Sequence, residues 1–419
     1  MSAPAPRVVV IGAGLAGLVA ALRLAEAGLP VTLVAKGEGG LGLSQGTIDI
    51  LGYAPGRVAS PLEAVGGVPA GHPYAVLGAE PVASAVAWLR DALGSELLVG
   101  DPAINLNLPT AVGAIRPTAL AQPSMVAADA RGGLRYGVVG VRQLKDFPAD
   151  LIAGNLARST APDGGRLAAE ASWIDLPARA GEADPSGLTY GRALDDPAFA
   201  DRFADAVAAA APDCDVVLLP AVLGVRKLGV WREVAARVRR PVAEVPLQPP
   251  SVPGLRLFAA LLARVKAAGV RYVPGSEVTG LSVDADAVAS VTFAAAGGPR
   301  ELAASHVVYA PGGFESGALT VDSYGTITER TFGLPLSDDD AFALVGPDYW
   351  SPQALFGVGV RTDARLRPVD GDGRPVHANL HVAGGILAGA QRWREKSGDG
   401  IAVASAVRAA DSIIAGGAS

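Results

Sequence analysis

"VVVIGAGLAGLVAALRLAEAGLPVTLVAKG", Val8–Gly37, decides the fold of this chain. Val8–Ile11 is a short continuous apolar run, the pattern of a parallel strand buried on both faces. Gly12–Gly14 makes a turn, and Leu15, Leu18, Val19 and Leu22 then recur at helical spacing with Arg23 and Glu26 on the opposite face. Gly28 closes the helix, Pro30 follows it, and Val31–Val34 reads as a second buried strand. In this βαβ setting Gly12-Ala13-Gly14-x-x-Gly17 has a physical meaning. Gly12 permits the sharp turn, Gly14 lets backbone approach a pyrophosphate, and Gly17 lets the helix pack close to the strand. The free N–H groups and positive end of the helix dipole then face phosphate.

A dinucleotide site of this kind normally has an acid at the end of the second strand, about 20 residues after the glycines, to accept the adenosine ribose hydroxyls. Ala35 stands there, followed by Lys36. Either the adenosine half is held in another way or the ligand is a mononucleotide. Lys36 is placed for a phosphate or is a solvated lysine at a strand end.

The chain has 419 residues, enough for two or three domains, and half of them are apolar. A formal net charge of −6 without a local basic run argues against a nucleic-acid partner. Cys214 is the only cysteine, which excludes an internal disulfide and a cysteine-ligated iron–sulfur cluster within the chain. Arg7 and the apolar run after it have a superficial likeness to a signal peptide, but the glycine spacing obeys the nucleotide rule and no A-x-A cleavage pattern follows. No later apolar stretch is long enough to span a bilayer.

Beyond residue 55, proline-rich loops alternate with alanine-rich helical stretches such as Val82–Leu93 and Phe199–Ala210. Strand-like runs occur at Val138–Val141 and Val216–Leu219. Leu255, Phe258, Leu261, Leu262 and Val265 mark a helix face, Val270–Val273 a strand, and the alternation to Phe293 a small meander. His306–Ala310 and Asn379–Ala383 are further buried strands, and a helix is expected over about Ile401–Ile414. The simplest architecture is a nucleotide-binding domain made of residues 1–55, 251–320 and 375–419. Residues 56–250 and 321–374 would form an inserted substrate or partner domain.

Three further motifs are candidates for the same cleft. In "SQGTIDIL" (Ser44–Leu51), the small residues Ser44, Gly46 and Thr47 would let backbone follow a flavin's ribityl chain, with Ser44 and Thr47 as hydroxyl donors. An ordinary loop entering a strand is the competing reading. "VVYAPGGFESG" (Val307–Gly317) and "NLHVAGGILAG" (Asn379–Gly389) put Gly312–Gly313 and Gly384–Gly385 at the ends of buried strands, where a ligand can lie against the backbone. "SGDGIAVASAV" (Ser397–Val407), with Gly400, opens the last helix, whose N-terminus can stabilise charge on a reduced flavin. Asp399 is read as the N-cap of that helix. His72, His306, His377 and His381 lack metal-ligand spacing. Arg116, Arg256 and Arg367 are anion-binding candidates whose commoner role is structural. No residue stands out as a catalytic base.

These residues carry a resemblance. "VVVIGAGLAGL", "SQGTIDIL", "HPYAVLG" (His72–Gly78), "LKDF" (Leu144–Phe147), "LPAVLG" (Leu219–Gly224), "PPSVPGLRL" (Pro249–Leu257) and "FGVGVRTDARLRP" (Phe356–Pro368) resemble the B-subunit family of anaerobic glycerol-3-phosphate dehydrogenase, in family order and over nearly the whole chain. The ending departs from the family pattern, with the expected glycine-rich run reduced to "SGDG" after "QRWREK". The resemblance implies an α/β protein with a discontinuous Rossmann-like FAD/NAD(P)-binding domain and an inserted α+β domain. It implies FMN as the cofactor, with FAD as the alternative, and Ala35 agrees with FMN. The implied partners are an FAD-bearing A subunit and a membrane-bound iron–sulfur C subunit, which would hold this chain at the cytoplasmic face of the membrane. Together they would oxidise sn-glycerol 3-phosphate to dihydroxyacetone phosphate and pass electrons to quinone for fumarate or nitrate respiration. The alternatives are a stand-alone FAD-dependent oxidoreductase of fumarate-reductase type acting on another small anionic substrate, and a flavin-free structural subunit.

Overall fold

A computed structural model describes residues 7–348 and 350–416. In chain order the elements used below begin with β1 (Val8–Ile11), α1 (Leu15–Glu26), β2 (Val31–Ala35) and α2 (Ala79–Leu93). Then come β3 (Arg135–Val141), α3 (Ala149–Arg158), β4 (Ala168–Ile174), α4 (Pro197–Ala210), β5 (Val216–Pro220), α5 (Val230–Val238) and β6 (Val242–Val245). α6 (Val252–Ala267), β7 (Arg271–Pro274), β8 (Val278–Asp284), β9 (Ala287–Phe293), β10 (Arg300–Ala303) and β11 (His306–Tyr309) follow. β12 (Leu380–Val382) and α7 (Gly398–Gly416) complete the set.

The first sheet has the order β7-β2-β1-β11-β12 and is parallel throughout. Val8, Val9 and Val10 are fully buried, as are Leu18 and Val19 of α1. Each such side chain removed from water stabilises the fold by about 1.5–3 kcal/mol. α1 has almost no polar face because α6 and α7 pack against it as well as the sheet. Its Arg23 is one of the few polar exits, pairing with Asp411 of α7 at 2.9 Å. β8, β9 and β10 form the antiparallel meander that the alternation to Phe293 indicates, extended by one strand.

The inserted region has its own core and its own sheet, in the order β6-β5-β3-β4. The expectation for this region is α+β structure. Its main sheet is instead all-parallel, and the antiparallel pairs between residues 99 and 121 are two short ladders. The domain limits also shift. Tyr74, Leu77, Val82, Val86 and Leu89 belong to the same continuous core as β1 and α1, and so do Leu334, Val360 and Leu366. Residues 61–98 and parts of 321–374 thus pack with the first sheet, although periodicity alone assigns them to the inserted domain. An amphipathic helix advertises that one face is buried, not against which sheet.

Candidate functional site

A cavity of about 530 Å³ lies at the carboxyl edge of the first sheet, where open parallel sheets place their ligands. Ends of β1, β2, β11 and β12 all reach it, so its walls come from every separated piece of the sheet domain.

The three opening glycines have three different local causes. Gly12 has φ +101°, and a Cβ there would lie 2.2 Å from the Ala310 carbonyl oxygen. Gly17 would place a Cβ 1.8 Å from the Gly12 oxygen, so its role is helix–strand packing, and it does not line the cavity. Gly14 has nothing within 4 Å of a Cβ and lines the cavity. It caps α1 without any side-chain hydrogen bond, leaving the first-turn N–H groups facing open space. The loop after β2 returns over this motif, with Gly39 so close that its Cβ would meet the Gly14 Cα at 2.5 Å.

Of the residues singled out from sequence, Gly12, Ala13, Gly14, Lys36, Ser44, Gly312, Gly384 and Gly385 line the cavity. Gly313 does not: its Cβ would meet Arg392 and the Gly385 oxygen, so it is a packing glycine behind the wall. Gly46, Thr47 and Gly400 are also displaced from it. A Cβ on Gly46 would strike Pro253 of α6 at 2.5 Å, and one on Gly400 would strike the Tyr74 hydroxyl at 2.3 Å. "SQGTIDIL" is wedged between the N-termini of α6 and α7, which explains its small residues.

The hydroxyls expected to donate to a ligand are already committed. Ser44 Oγ donates to the Leu41 carbonyl at 2.8 Å and accepts from Gly46 N–H at 3.2 Å. Thr47 Oγ1 accepts from Arg116 at 2.7 Å and donates to Asp49 at 3.4 Å. Arg116 also pairs with Asp49, and both are buried. Arg256 pairs with Glu244 at 2.6 and 3.0 Å, and Arg367 with Asp363 at 2.8 Å. All three candidate arginines therefore serve the protein's own carboxylates. His381 is buried, which pushes its pKa down to about 4.

At the α7 end, the helix starts at Gly398, so Asp399 belongs to its first turn and is not its N-cap. Asp399 lines the cavity and accepts from the Asp49 N–H at 3.2 Å. Burial first, and then the nearby Asp49 carboxylate, raise its pKa from 3.8 to about 7. Tyr74, behind it, donates to the Ile50 carbonyl at 2.6 Å, and burial raises its phenol well above the ordinary range. His72 accepts from Tyr74 N–H through Nδ1 at 3.1 Å, so its Nε2 carries the proton and donates to Glu395 at 3.0 Å.

Sequence reasoning missed several lining residues. Tyr309, whose hydroxyl donates to Glu329 at 2.6 Å, ends β11. Arg392, paired with Glu315 at 3.0 Å, lines the wall beside Gly385. At the opposite end, Ser276, Glu277, Val278 and Arg330 join Lys36 around the end of β2. No linear signal marks them, because they meet only when β7 pairs with β2. Among the described residues there is no cluster able to hold a metal ion, and no helix is long and apolar enough to cross a membrane.

Comparison with known proteins gives this geometry a family. Residues 7–401 match a family model described as "FAD binding domain". The chain is 35% identical over 415 residues to a relative from Halobacterium salinarum named as the probable B subunit of anaerobic glycerol-3-phosphate dehydrogenase, covering 95% of each chain. It is 29% identical over 428 residues to the B subunit of the same enzyme from Yersinia enterocolitica, covering 97% of each. A solved 3-ketosteroid Δ1-dehydrogenase from Sterolibacterium denitrificans covers 98% of this chain and 99% of its own at 12% identity, with a TM-score of 0.46. The family model supports a flavin cofactor, and FAD most directly, so FMN as the primary cofactor is not supported. Ala35 removes one ribose contact, but the cavity continues past the glycine motif to the side chains around the end of β2. The chain belongs to the B-subunit family of anaerobic glycerol-3-phosphate dehydrogenase and, within it, carries an FAD-binding-domain fold built for oxidoreductase chemistry.

Proposed function

We propose that this chain is the FAD-bearing B subunit of a glycerol-3-phosphate dehydrogenase complex. The observation that carries the reading is the single cavity lined by Gly12–Gly14, Gly312 and Gly384–Gly385, reaching from the end of β2 to the first turn of α7. The residues fit a flavin dinucleotide. Gly14 and the uncapped start of α1 would hold the pyrophosphate, the wall from Gly384 to Asp399 the flavin ring, and the cleft at Ser276–Val278 the adenosine. Bound flavin supplies two-electron uptake followed by release of single electrons.

The chain's own groups then have defined tasks. Arg392 is the lining cation nearest the α7 end and would orient a phosphate-bearing substrate or an acidic group of a partner. Asp399, whose pKa burial and Asp49 raise to about 7, would hold or release a proton beside the place the ring would occupy. The partners would be an FAD-bearing A subunit and a membrane-bound iron–sulfur C subunit, with quinone reached through them and the chain held peripherally at the cytoplasmic face of the membrane. Substrate oxidation to dihydroxyacetone phosphate is assigned to the complex, with fumarate or nitrate as terminal acceptor.

The test is purification, a visible spectrum, and chromatography of the flavin released on denaturation. A yellow protein releasing FAD is expected. Colourless protein that takes up neither FAD nor FMN would overturn the reading. Glycerol 3-phosphate-dependent dye reduction is then expected from the assembled complex and not from this chain alone.

A further inference from the structure

β2 ends in Ala35, which has no group to accept a ribose hydroxyl bond. The neighbouring strand compensates. β7 runs parallel to β2 with Pro274 opposite Ala35, and Ser276 N–H donates to the Ala35 carbonyl at 3.0 Å. The next residue is Glu277, whose backbone carbonyl accepts from Ala294 N–H at 2.8 Å, fixing it at the start of the meander. A carboxylate therefore stands beside the position where β2 lacks one.

Its surroundings are built to orient it. Glu277 Oε1 accepts from Lys36 Nζ at 3.1 Å and also from the Arg330 guanidinium. The second carboxylate oxygen, Oε2, has no hydrogen bond within the described protein. Glu277, Lys36 and Arg330 all line the cavity, and the Glu277 side chain is one-third exposed. Two cations hold one oxygen of this cavity-lining residue, which leaves the other oxygen without a protein partner. A vicinal diol, with two O–H donors on adjacent carbons, is the group that such an oxygen accepts.

We propose that Glu277 recognises the adenosine ribose of a bound flavin dinucleotide, replacing from β8's leading edge the acid that β2 lacks, with Lys36 and Arg330 as its positioning residues. The inference rests on the flavin reading above. It makes this side chain the determinant of FAD over FMN, because FMN has no ribose diol to reach it.

The test titrates flavin-stripped full-length chain with FAD and with FMN, followed by quenching of flavin fluorescence. Wild type is expected to prefer FAD. Glu277→Ala should weaken FAD by about tenfold to a hundredfold, the range for hydrogen bonds to a charged group, while leaving FMN affinity unchanged. Adenosine diphosphate should compete better than its 2′-deoxy form against wild type and no better against Glu277→Ala. Lys36→Ala, which keeps the carboxylate, should retain the FAD preference. Unchanged FAD affinity in Glu277→Ala, or equal loss of FAD and FMN, would overturn the inference and leave the flavin reading standing. Wild type that binds neither flavin would overturn the flavin reading itself, and this inference with it.

Discussion

The molecule contains two larger parallel sheets, and among the described residues only the first opens into a cleft lined by strand-end glycines. Both reverse strand order beside their first strand: β2-β1-β11 in one, β4-β3-β5 in the other. That reversal splays the connections and offers a crevice at the carboxyl edge. In the first sheet the crevice is lined by Gly12, Gly14, Gly312 and Gly384, so backbone stops where side chains would begin. In the second, the strand ends are filled. Glu244 of β6 takes Arg256 of α6, Ser124 Oγ–H at 2.6 Å and Leu223 N–H at 2.7 Å, all without measurable solvent at the carboxylate. Topology offers both sheets a site, and side-chain volume decides which one keeps it.

The first way to break this contrast is to put a side chain into the open sheet. Gly12→Val combines a strained φ with backbone overlap against Ala310 and should destabilise the fold by about 4 kcal/mol or more. Denaturant unfolding, or failure to recover folded protein, would report it. Removing the filler from the closed sheet is the converse. Arg256→Ala leaves Glu244 buried without its cation and should cost about 3–5 kcal/mol in chemical denaturation. Cavity exposure without destabilisation would contradict the account of this sheet.

Gly14→Val separates space from fold. Its φ of −73° and ψ of −179° suit any residue, and nothing beyond its chain neighbours lies within 4 Å of the new Cβ. Stability should therefore stay within about 1 kcal/mol while flavin affinity falls at least about tenfold, because the obstruction lies on the ligand side. Thermal melts paired with flavin titrations measure both.

The remaining test concerns Asp399 and is read against pH. Its folded pKa of about 7 exceeds the 3.8 of a free carboxyl, so the folded chain binds its proton more tightly. Stability from this group is present at low pH and declines as pH rises from about 4 to about 7. Asp399→Asn should flatten that decline, with the variant gaining on wild type between about pH 4 and pH 7 in denaturation midpoints. Parallel curves for the two proteins would remove Asp399 as the cause.

Much of the first sheet is legible in the sequence, because a strand buried on both faces must be apolar and a phosphate turn must be glycine. Val8–Ile11, Gly12–Gly17, His306–Tyr309 and Leu380–Val382 show that directly. Gly46 and Gly400, expected from sequence at the ligand, lie away from the cavity for a reason of the same kind. A glycine required by close packing on Pro253 or Tyr74 has the same letter as one required by a ligand.

What the sequence determined by itself was local: the βαβ unit, the phosphate turn, the apolar strands, and the family that shares them. What only the tertiary structure decided was which distant residues meet. Ala35 read alone left open whether the ligand has an adenosine half held in another way or none at all. Glu277 lies far along the chain and is brought beside Ala35 by the register of β7 against β2. Local periodicity reports the burial of an element, whereas a site is a set of side chains from several elements. Backbone hydrogen bonding between strands, which no single stretch of sequence specifies, sets their spacing.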